Sequence, residues 1–367
     1  MKFTAEKSQI VDSLQNAAAV AERRQTIPIL ANLRLRTVSG KLEVTATDLE
    51  IQIKIYSDLL SVEEEGETTV SARKMSELCR SLKDDEKLNF ALNEGKLHVS
   101  SANFIADFAT LSANDFPELE VMHEKEPVKL DSSLLKRLLT KTSFSMASQD
   151  VRYYLNGLLL EFSGKGMKAV ATDGHRMAVA ALEDLDHNEN EIKYILPRKA
   201  VIELSKILSP EKEKIEVLLN DSHLTIISKN QVFSSKLIEG RFPDYEKVFP
   251  TGEENSMLVE KETLQSALSR SSVLSSEKYR GVRFSLKKNL LTLTANNPEQ
   301  ELAEEEIEVV FSGADLEIGF NINYILDALN VIDSAKVEML FYGEENSCLI
   351  REPENSSEVY VVMPMRL

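Results

Sequence analysis

Ala46-Thr47-Asp48, Ala171-Thr172-Asp173 and Ala295-Asn296-Asn297 decide how this chain is read. Each closes an alternating, strand-like stretch, and successive copies lie about 125 residues apart. Other anchors keep the same step. Arg73-Lys74 precedes an apolar helical run, Arg198-Lys199 precedes another, and Phe320-Asn321 a third. Leu111 with Phe116-Pro117 returns as Leu237 with Phe242-Pro243, and weakly as the terminal Met363-Pro364-Met365-Arg366-Leu367. Anchors that repeat in one register report a duplicated structural unit, and solenoid repeats run to only ~20–50 residues. This period has the size of a whole domain. The chain reads as three tandem copies of one domain, with boundaries expected at 1–125, 126–254 and 255–367.

Within each copy the local pattern repeats as well. An amphipathic helix is expected at residues 8–20, 132–144 and 262–273, the second carrying Leu134, Leu135, Leu138 and Leu139 as one apolar stripe. A hairpin follows: Leu33 and Leu35 alternate, Ser39-Gly40 turns, and Leu42 and Val44 alternate back. Phe284 and Leu286, then Lys287-Lys288-Asn289, then Leu291 and Leu293 redraw it in the third copy. A second helix is expected at 73–82, 198–208 and 323–332. Two helices among many antiparallel strands predict an α+β domain with its helices on one face of the sheet. Residues 122–126 and 250–256, polar and turn-rich, read as linkers.

Composition sets limits. Of 367 residues, 43% are hydrophobic and 28% charged, the balance of an ordinary globular protein. No apolar run approaches the ~18–20 residues of a membrane span, so no membrane partner is expected. The start, Met1 to Lys7, lacks the basic segment and apolar core of a secretion signal. Cys79 and Cys348 fall in different repeats without disulfide or zinc spacing, which predicts a cytoplasmic location. A net charge of −17 argues at first against nucleic acid, since phosphate binding draws on Lys and Arg. The charge is unevenly placed, however. Lys136, Arg137 and Lys141 stand in an acid-free stretch, and Arg73, Lys74, Arg80, Arg198, Lys199 and Lys206 punctuate the second helices. Acid gathers in turns and strands such as Glu63-Glu64-Glu65 and Glu304-Glu305-Glu306. Such runs are also compatible with plain solvated faces.

Catalytic motifs are missing from the sequence: no phosphate-cradling Gly-rich loop, no HExxH, no GxSxG and no Cys/His cluster. The tempting constellation is Asp173-Gly174-His175-Arg176, an acid, a base and a cation that a phosphate-processing enzyme could use. Neighbours in one turn rarely converge on a substrate, and Asp173 stands where Asp48 stands in the first repeat. It is therefore expected to bond its own backbone. Five histidines with no pair at ligand spacing predict no metal site and no cofactor. The C-terminus is more informative. Tyr360 to Leu367 is an apolar strand with two methionines flanking a proline, where termini are normally polar and frayed. Methionines offer an adaptable surface for varied partners. A final strand tucked into its own core would also explain the pattern.

Long motifs carry a resemblance to a known family. Gln149-Asp150-Val151-Arg152-Tyr153-Tyr154-Leu155-Asn156-Gly157, Ala171 to Arg176, Gly240-Arg241-Phe242-Pro243-Asp244-Tyr245, Thr294 to Glu301 and the Met-Pro-Met-Arg-Leu ending resemble the bacterial sliding clamps, the beta subunits of DNA polymerase III, over the whole chain. The resemblance implies a head-to-tail homodimeric ring of six similar domains around duplex DNA, sheets outside and helices lining the hole. It implies a non-enzymatic role: tethering the replicative polymerase so that dissociation is quickly reversed. A ring that holds DNA by topology needs little affinity, which reconciles basic helices with an acidic whole. A protein-binding repeat scaffold that never surrounds DNA is the alternative.

The resemblance also implies sites. A pocket for short linear motifs of polymerase, clamp loader and other DNA-processing proteins would be walled by Leu155, Thr172, Gly174, His175, Arg176 and Met177. Pro243, Val248, Val361, Met363, Pro364 and Met365 complete it, with Asn321, Tyr324 and Ser347 on the third repeat's side. Glu246-Lys247 stands where a more basic pair is common. For sequence-independent contact with double-stranded DNA, the resemblance points to Arg24, Gln149, Arg152, Tyr153 and Tyr154, with Arg73, Lys74, Arg198 and Lys199 as further cations. The dimer contact would use Val273 and Leu274, with Glu301 and Glu304 meeting Lys74. The facing stretch, residues 101–107, lacks the arginines of some relatives, so this interface is expected to rely on apolar contact.

Overall fold

The computed structural model describes residues 1–21, 27–119, 126–164, 166–183 and 192–366. Helices fall where the periodicity predicts: α1 (Lys7–Val20), α2 (Ala72–Ser81), α3 (Ser132–Thr142), α4 (Arg198–Ile207), α5 (Lys261–Val273) and α6 (Ile322–Val331). Their starts are capped locally. Gln9 accepts from the Glu6 N–H at 3.0 Å, Ser71 from Lys74, and Asn321 from Asn323 at 2.9 Å. Ser39 and Gly40 both take positive φ, 51° and 78°, the two-residue turn whose twist matches flanking strands. The residues expected as a linker at 250–256 are in part strand: Asn255–Glu260 begins within them.

The described residues form two compact units, Met1–Ser133 with Ile202–Leu237, and Leu134–Val201 with Ile238–Leu367. The first holds a 13-stranded antiparallel sheet. The second holds a nine-stranded sheet and a four-stranded one. Running across the nine strands, Ile192–Pro197, Gly157–Ser163, Gly166–Thr172 and Arg176–Glu183 come first, then the terminal strand Glu358–Val362 and Cys348–Arg351. The last strand is thus interior, not an edge.

Both units are joined internally by one rule: the last strand of a repeat adds to the strand that follows the Asp turn of the repeat before it. In the first unit Gln231–Lys236 pairs with Ile51–Asp58, placing Ser235 opposite Ile51 and Gln231 opposite Ile55. In the second unit Glu358–Val362 pairs with Arg176–Glu183, placing Val362 opposite Arg176 and Glu358 opposite Ala180. Ile51 and Arg176 are each three residues past their turn Asp, so the register is the same. The turns match atom for atom. Asp48 Oδ1 accepts the N–H groups of Glu50 and Ile51 at 2.9 and 2.8 Å, and Asp173 Oδ1 those of His175 and Arg176 at 2.9 and 3.1 Å. Thr47 and Thr172 donate to the Ile51 and Arg176 carbonyls at 2.8 and 2.7 Å.

In the second unit the terminal strand faces two cores. Tyr360 and Val362 sink into the cluster built with α5 and α6, while Val361 joins Leu155, Met177 and Leu349 on the opposite face. Ions fix the start of this strand. The carboxylate of Glu358, 4% exposed, takes Arg137 Nε at 2.7 Å and Lys141 Nζ at 3.2 Å. Lys141, itself 5% exposed, also reaches Asp333 at 2.8 Å and the Val331 carbonyl. Its hydrogen bond holds the Asp333 carboxyl below the usual carboxylate range. Removing one partner of a buried ion pair commonly costs ~3–5 kcal/mol, whereas replacing both can be near neutral. Because Arg137 stays on Glu358, Lys141→Met is expected to destabilise the protein by about 3 kcal/mol in urea unfolding. The double variant Lys141→Met/Glu358→Leu should recover most of that loss. A double variant no more stable than the single would show that the cluster is not an isolated ion pair.

Candidate functional site

The second core of that unit is open at one point. Leu155, Met177 and Val361, each at most 2% exposed, form a floor with Leu159, Val170 and Ile195. Above it lies a cavity of about 150 Å³, bounded by Thr172, Gly174 and Arg176 of the Asp turn, Pro243 and Val248 of the loop before α5, and Met363. Small-molecule sites run to ~300–1,000 Å³, so this volume suits one or two side chains. Its lining is almost wholly apolar apart from Arg152 and the turn.

Sequence dictates these walls. Val361 is delivered between Met177 and Leu349 by the pairing of its strand on both sides. Beyond Val362 the chain stays pinned: Met363 N–H donates to the His175 carbonyl at 2.9 Å and Met365 N–H to the Gly319 carbonyl at 2.8 Å. Met363 remains 38% exposed, an apolar flap at the rim. Gly174 holds φ at 88°, a conformation its counterpart Leu49 also adopts at 74°. A Cβ on Gly174 would sit 3.0–3.1 Å from the guanidinium nitrogens of Arg152. Glycine here is what lets that arginine lie across the turn.

Arg176 organises the other side. Its guanidinium bonds Asp173 at 3.1 Å, Asp327 of α6 and the Phe144 carbonyl at 2.8 Å, and lies 4.6 Å from the Tyr324 ring centroid. Tyr324 in turn stacks with His175, centroids 6.4 Å apart. Burial, with Asp173 nearby, raises the Tyr324 phenol above its usual range. Asn321 caps α6 and donates to the Tyr279 carbonyl at 3.3 Å, while Ser347, Pro364 and Met365 are half-buried. These residues, with Tyr324 and His175, lie outside the lining of the cavity itself, and Met177 lies beneath it. Asp173 has its oxygens committed to backbone N–H groups and to Arg176. Asp173 thus acts as the turn residue expected from its match to Asp48, bonded to its own backbone and to Arg176. Among the described residues no group of three or more His, Cys, Asp or Glu could hold a metal. No helix among them is long and apolar enough to cross a membrane.

Sequence reading did not place Arg152 beside the cavity. Expected to face DNA, it borders the apolar cavity, bonds Asp150 through Nε at 3.0 Å and Nη2 at 2.8 Å, and donates to the Asp173 carbonyl at 3.2 Å. The signal available was the Asp150-x-Arg152 spacing, which favours a local pair. Of the other expected DNA residues, Arg24 lies outside the described residues. Gln149 is exposed at φ 58°, Tyr153 is 57% exposed, and Tyr154 packs on the groove's core. Arg73 is exposed and pairs with Glu77 one helical turn on. Arg198 is half-buried and donates to the Met146 carbonyl at 2.9 Å, so its charge secures a turn. Lys74 is exposed, and Lys199 half-buried. At the expected interface Val273 is 77% exposed and Leu274 half-buried. Glu304 is exposed on the edge strand Leu302–Glu308, and Glu301 is bonded into its own turn by Asn297.

The Asp150–Arg152 pair makes a pH prediction. Hydrogen bonds from Arg152 lower the Asp150 carboxyl from its ordinary 3.8 to about 2. A depressed acid pKa means the stabilisation is complete above 3.8 and lost as pH falls through about 2. Carboxyl NMR of Asp150 should therefore show a midpoint near 2, returning to the ordinary range in Arg152→Ala. An ordinary midpoint in the unaltered protein would mean that Arg152 points elsewhere in solution.

Comparison with known proteins gives a consistent result over the full length. Models of the DNA polymerase III beta subunit match residues 1–120 as its N-terminal domain, 129–244 as its central domain and 246–366 as its C-terminal domain. The chain is 42% identical to the beta sliding clamp of Pseudomonas aeruginosa and 40% identical to that of Escherichia coli K12, covering 100% of both sequences in each case. It is similar to the crystal structure of the P. aeruginosa DNA polymerase III subunit beta, with a TM-score of 0.95 at 41% identity and complete coverage of both chains.

Proposed function

The chain belongs to the DNA polymerase III beta subunit family, and from that membership we propose how its three repeats act. It is a DNA sliding clamp, a processivity factor that dimerises and partners DNA and polymerase. Sliding clamps are not catalysts, and no catalytic activity is assigned to this one. We place it in the cytoplasm, beside the DNA it serves, with domain boundaries at 1–125, 126–254 and 255–367.

The observation that carries the ring is the joining rule. Two of three possible joints are made within the chain, in one register. The third repeat's strand after its turn, Leu302–Glu308, is an edge with no further partner among the described residues. The first repeat's last strand, Ile105–Leu111, pairs on one side from Ile105 to Ala109 but on the other only through Thr110 and Leu111. Open edges demand partners. A second copy supplies them, and two head-to-tail contacts close two chains into a ring of six domains around duplex DNA. The register follows. Phe233 and Tyr360 face Ile53 and Ala178 at the internal joints, and Ala106 occupies their place in the first repeat, as Ala303 occupies that of Ile53 in the third. Ala106 of one copy then faces Ala303 of the next, Ile105 faces Glu304, and Asp107 faces Leu302. The seam pairs apolar groups with carboxylate stems, flanked by Val273, Leu274, Glu301 and Lys74.

Cysteines at Ala106 and Ala303 should give a covalent dimer under mild oxidation. That species should remain on nicked circular DNA after loading, and leave once the circle is linearised. Failure to cross-link with the dimer intact would displace the register, and retention on linear DNA would exclude a ring.

The cavity beside Met363 is the docking groove for short linear motifs of polymerase, clamp loader and other DNA-processing clients. An apolar pocket of one or two side chains, rimmed by Arg152 and Arg176, suits a peptide with glutamine and apolar anchors, since a few buried anchors carry most binding energy. Arg24, Gln149, Tyr153 and Arg73 are the weak, salt-sensitive DNA contacts; Arg152 and Arg198 contribute less, being held by Asp150 and by backbone carbonyls. Deleting residues 363–367 removes the flap but no strand, because the last strand ends at Val362. Titration should show most peptide affinity lost while sedimentation shows the dimer unchanged. Full affinity in that variant would place docking elsewhere.

A further inference from the structure

We infer that Glu161, which does not line the docking groove, sets the position of one groove wall by holding Tyr245. The inference rests on reading the groove as the client site and adds a positioning residue to it. Pro243 and Val248 form that wall. Both belong to the loop of residues 239–249, and Tyr245 begins its 3-10 turn, Tyr245–Val248.

This loop is an arch. Residues 240–246 span a separate cavity of about 390 Å³, closed on the far side by Leu159, Lys193 and Ile195. Phe242 and Tyr245 are the side chains this loop buries, in the core shared with Leu159 and Ile195, so their packing and bonds set how it sits beside the cavity. The arch is bonded to the sheet before it rises, where Ile238 N–H donates to the Ile195 carbonyl at 2.9 Å. The ion pair of Asp244 with Lys247 is internal to the loop and cannot fix it to anything else. Tyr245 is the foot. It is 5% exposed, and its hydroxyl donates to Glu161 Oε2 at 3.1 Å.

The acceptor is held from both sides. Glu161, 6% exposed in the strand Gly157–Ser163, stands directly across from Lys168 on one neighbouring strand and Lys193 on the other. Their amines lie 3.7 and 3.3 Å from its oxygens. This bond bridges sheet and loop. Breaking it lets Tyr245 and the Pro243–Val248 wall shift over the void, widening the groove although no peptide contact is removed.

Three variants test the link by titration with a synthetic peptide bearing a glutamine and two apolar anchors. Tyr245→Phe keeps the ring and deletes the donor, and should weaken binding roughly fivefold to tenfold. Glu161→Gln keeps an acceptor and should stay within twofold of the parent. Glu161→Leu should match Tyr245→Phe, and the double variant should be no weaker than either, because both break one link. If Glu161→Leu fails to fold, the contrast between Tyr245→Phe and Glu161→Gln decides alone. Unchanged peptide affinity in Tyr245→Phe, even with a lowered melting temperature, overturns the inference, as do additive losses in the double. The chain lacking residues 363–367 is titrated in parallel. Undiminished binding there would remove the groove reading itself, which is a different failure.

Discussion

Edge strands carry unpaired N–H and C=O groups, and the architecture of this clamp follows from how each repeat covers them. The last strand of one repeat is laid against the strand after the preceding repeat's Asp turn, with one register used twice within the chain. Backbone hydrogen bonds are indifferent to side chain, so the joint survives differences as large as Phe233 against Tyr360 or Ile53 against Ala178. Repetition of a sequence-tolerant joint is what lets a duplicated domain close on itself. The same joint creates the groove: without Glu358–Val362 beside Arg176–Glu183, neither Val361 nor Met363 would border the pocket.

Function in this chain comes from small departures inside a repeated frame. The Asp turn is the same object at Asp48 and Asp173, down to its threonine and backbone bonds. Leu49 bears a positive φ that costs a side chain ~1–2 kcal/mol, whereas Gly174 meets it freely and leaves room for a guanidinium. One position thus turns a structural turn into a pocket rim. Charge follows the same logic. Arg176 draws α6, the Asp turn and Phe144 together, which ties one side of the cavity to three elements. A preorganised rim lowers the ordering cost of binding.

Buried ions in the second unit sit at strand starts and loop feet rather than in the middle of the core. Glu358 is held by Arg137 and Lys141 at the beginning of the terminal strand, and Glu161 by Lys168 and Lys193 beneath the arch. Apolar packing is non-directional and tolerates sliding, while a charged hydrogen bond fixes one atom against another. Placing such bonds where an element could slip keeps the groove walls in register with each other.

The amino-acid sequence alone determined the repeat, the six helices within one or two residues, the Ser39-Gly40 hairpin and the role of Asp173 as a turn residue. These depend on periodicity, caps and turn chemistry that act over a few residues, and such signals are local by nature. Leu155, Thr172, Gly174, Pro243, Val361 and Met363, which the family resemblance named together, border one cavity. Tertiary structure decided the rest. Asn255 and Ser256 look like linker but pair with Phe341 and Leu340, strand residues far along the chain. Arg198 looks like a free cation, yet the fold brings it a closer acceptor, the Met146 carbonyl. Glu161 gave no sign of a role until the fold set Tyr245 above it. Which acceptor a side chain meets depends on distance in space, and no periodicity in the chain encodes that distance.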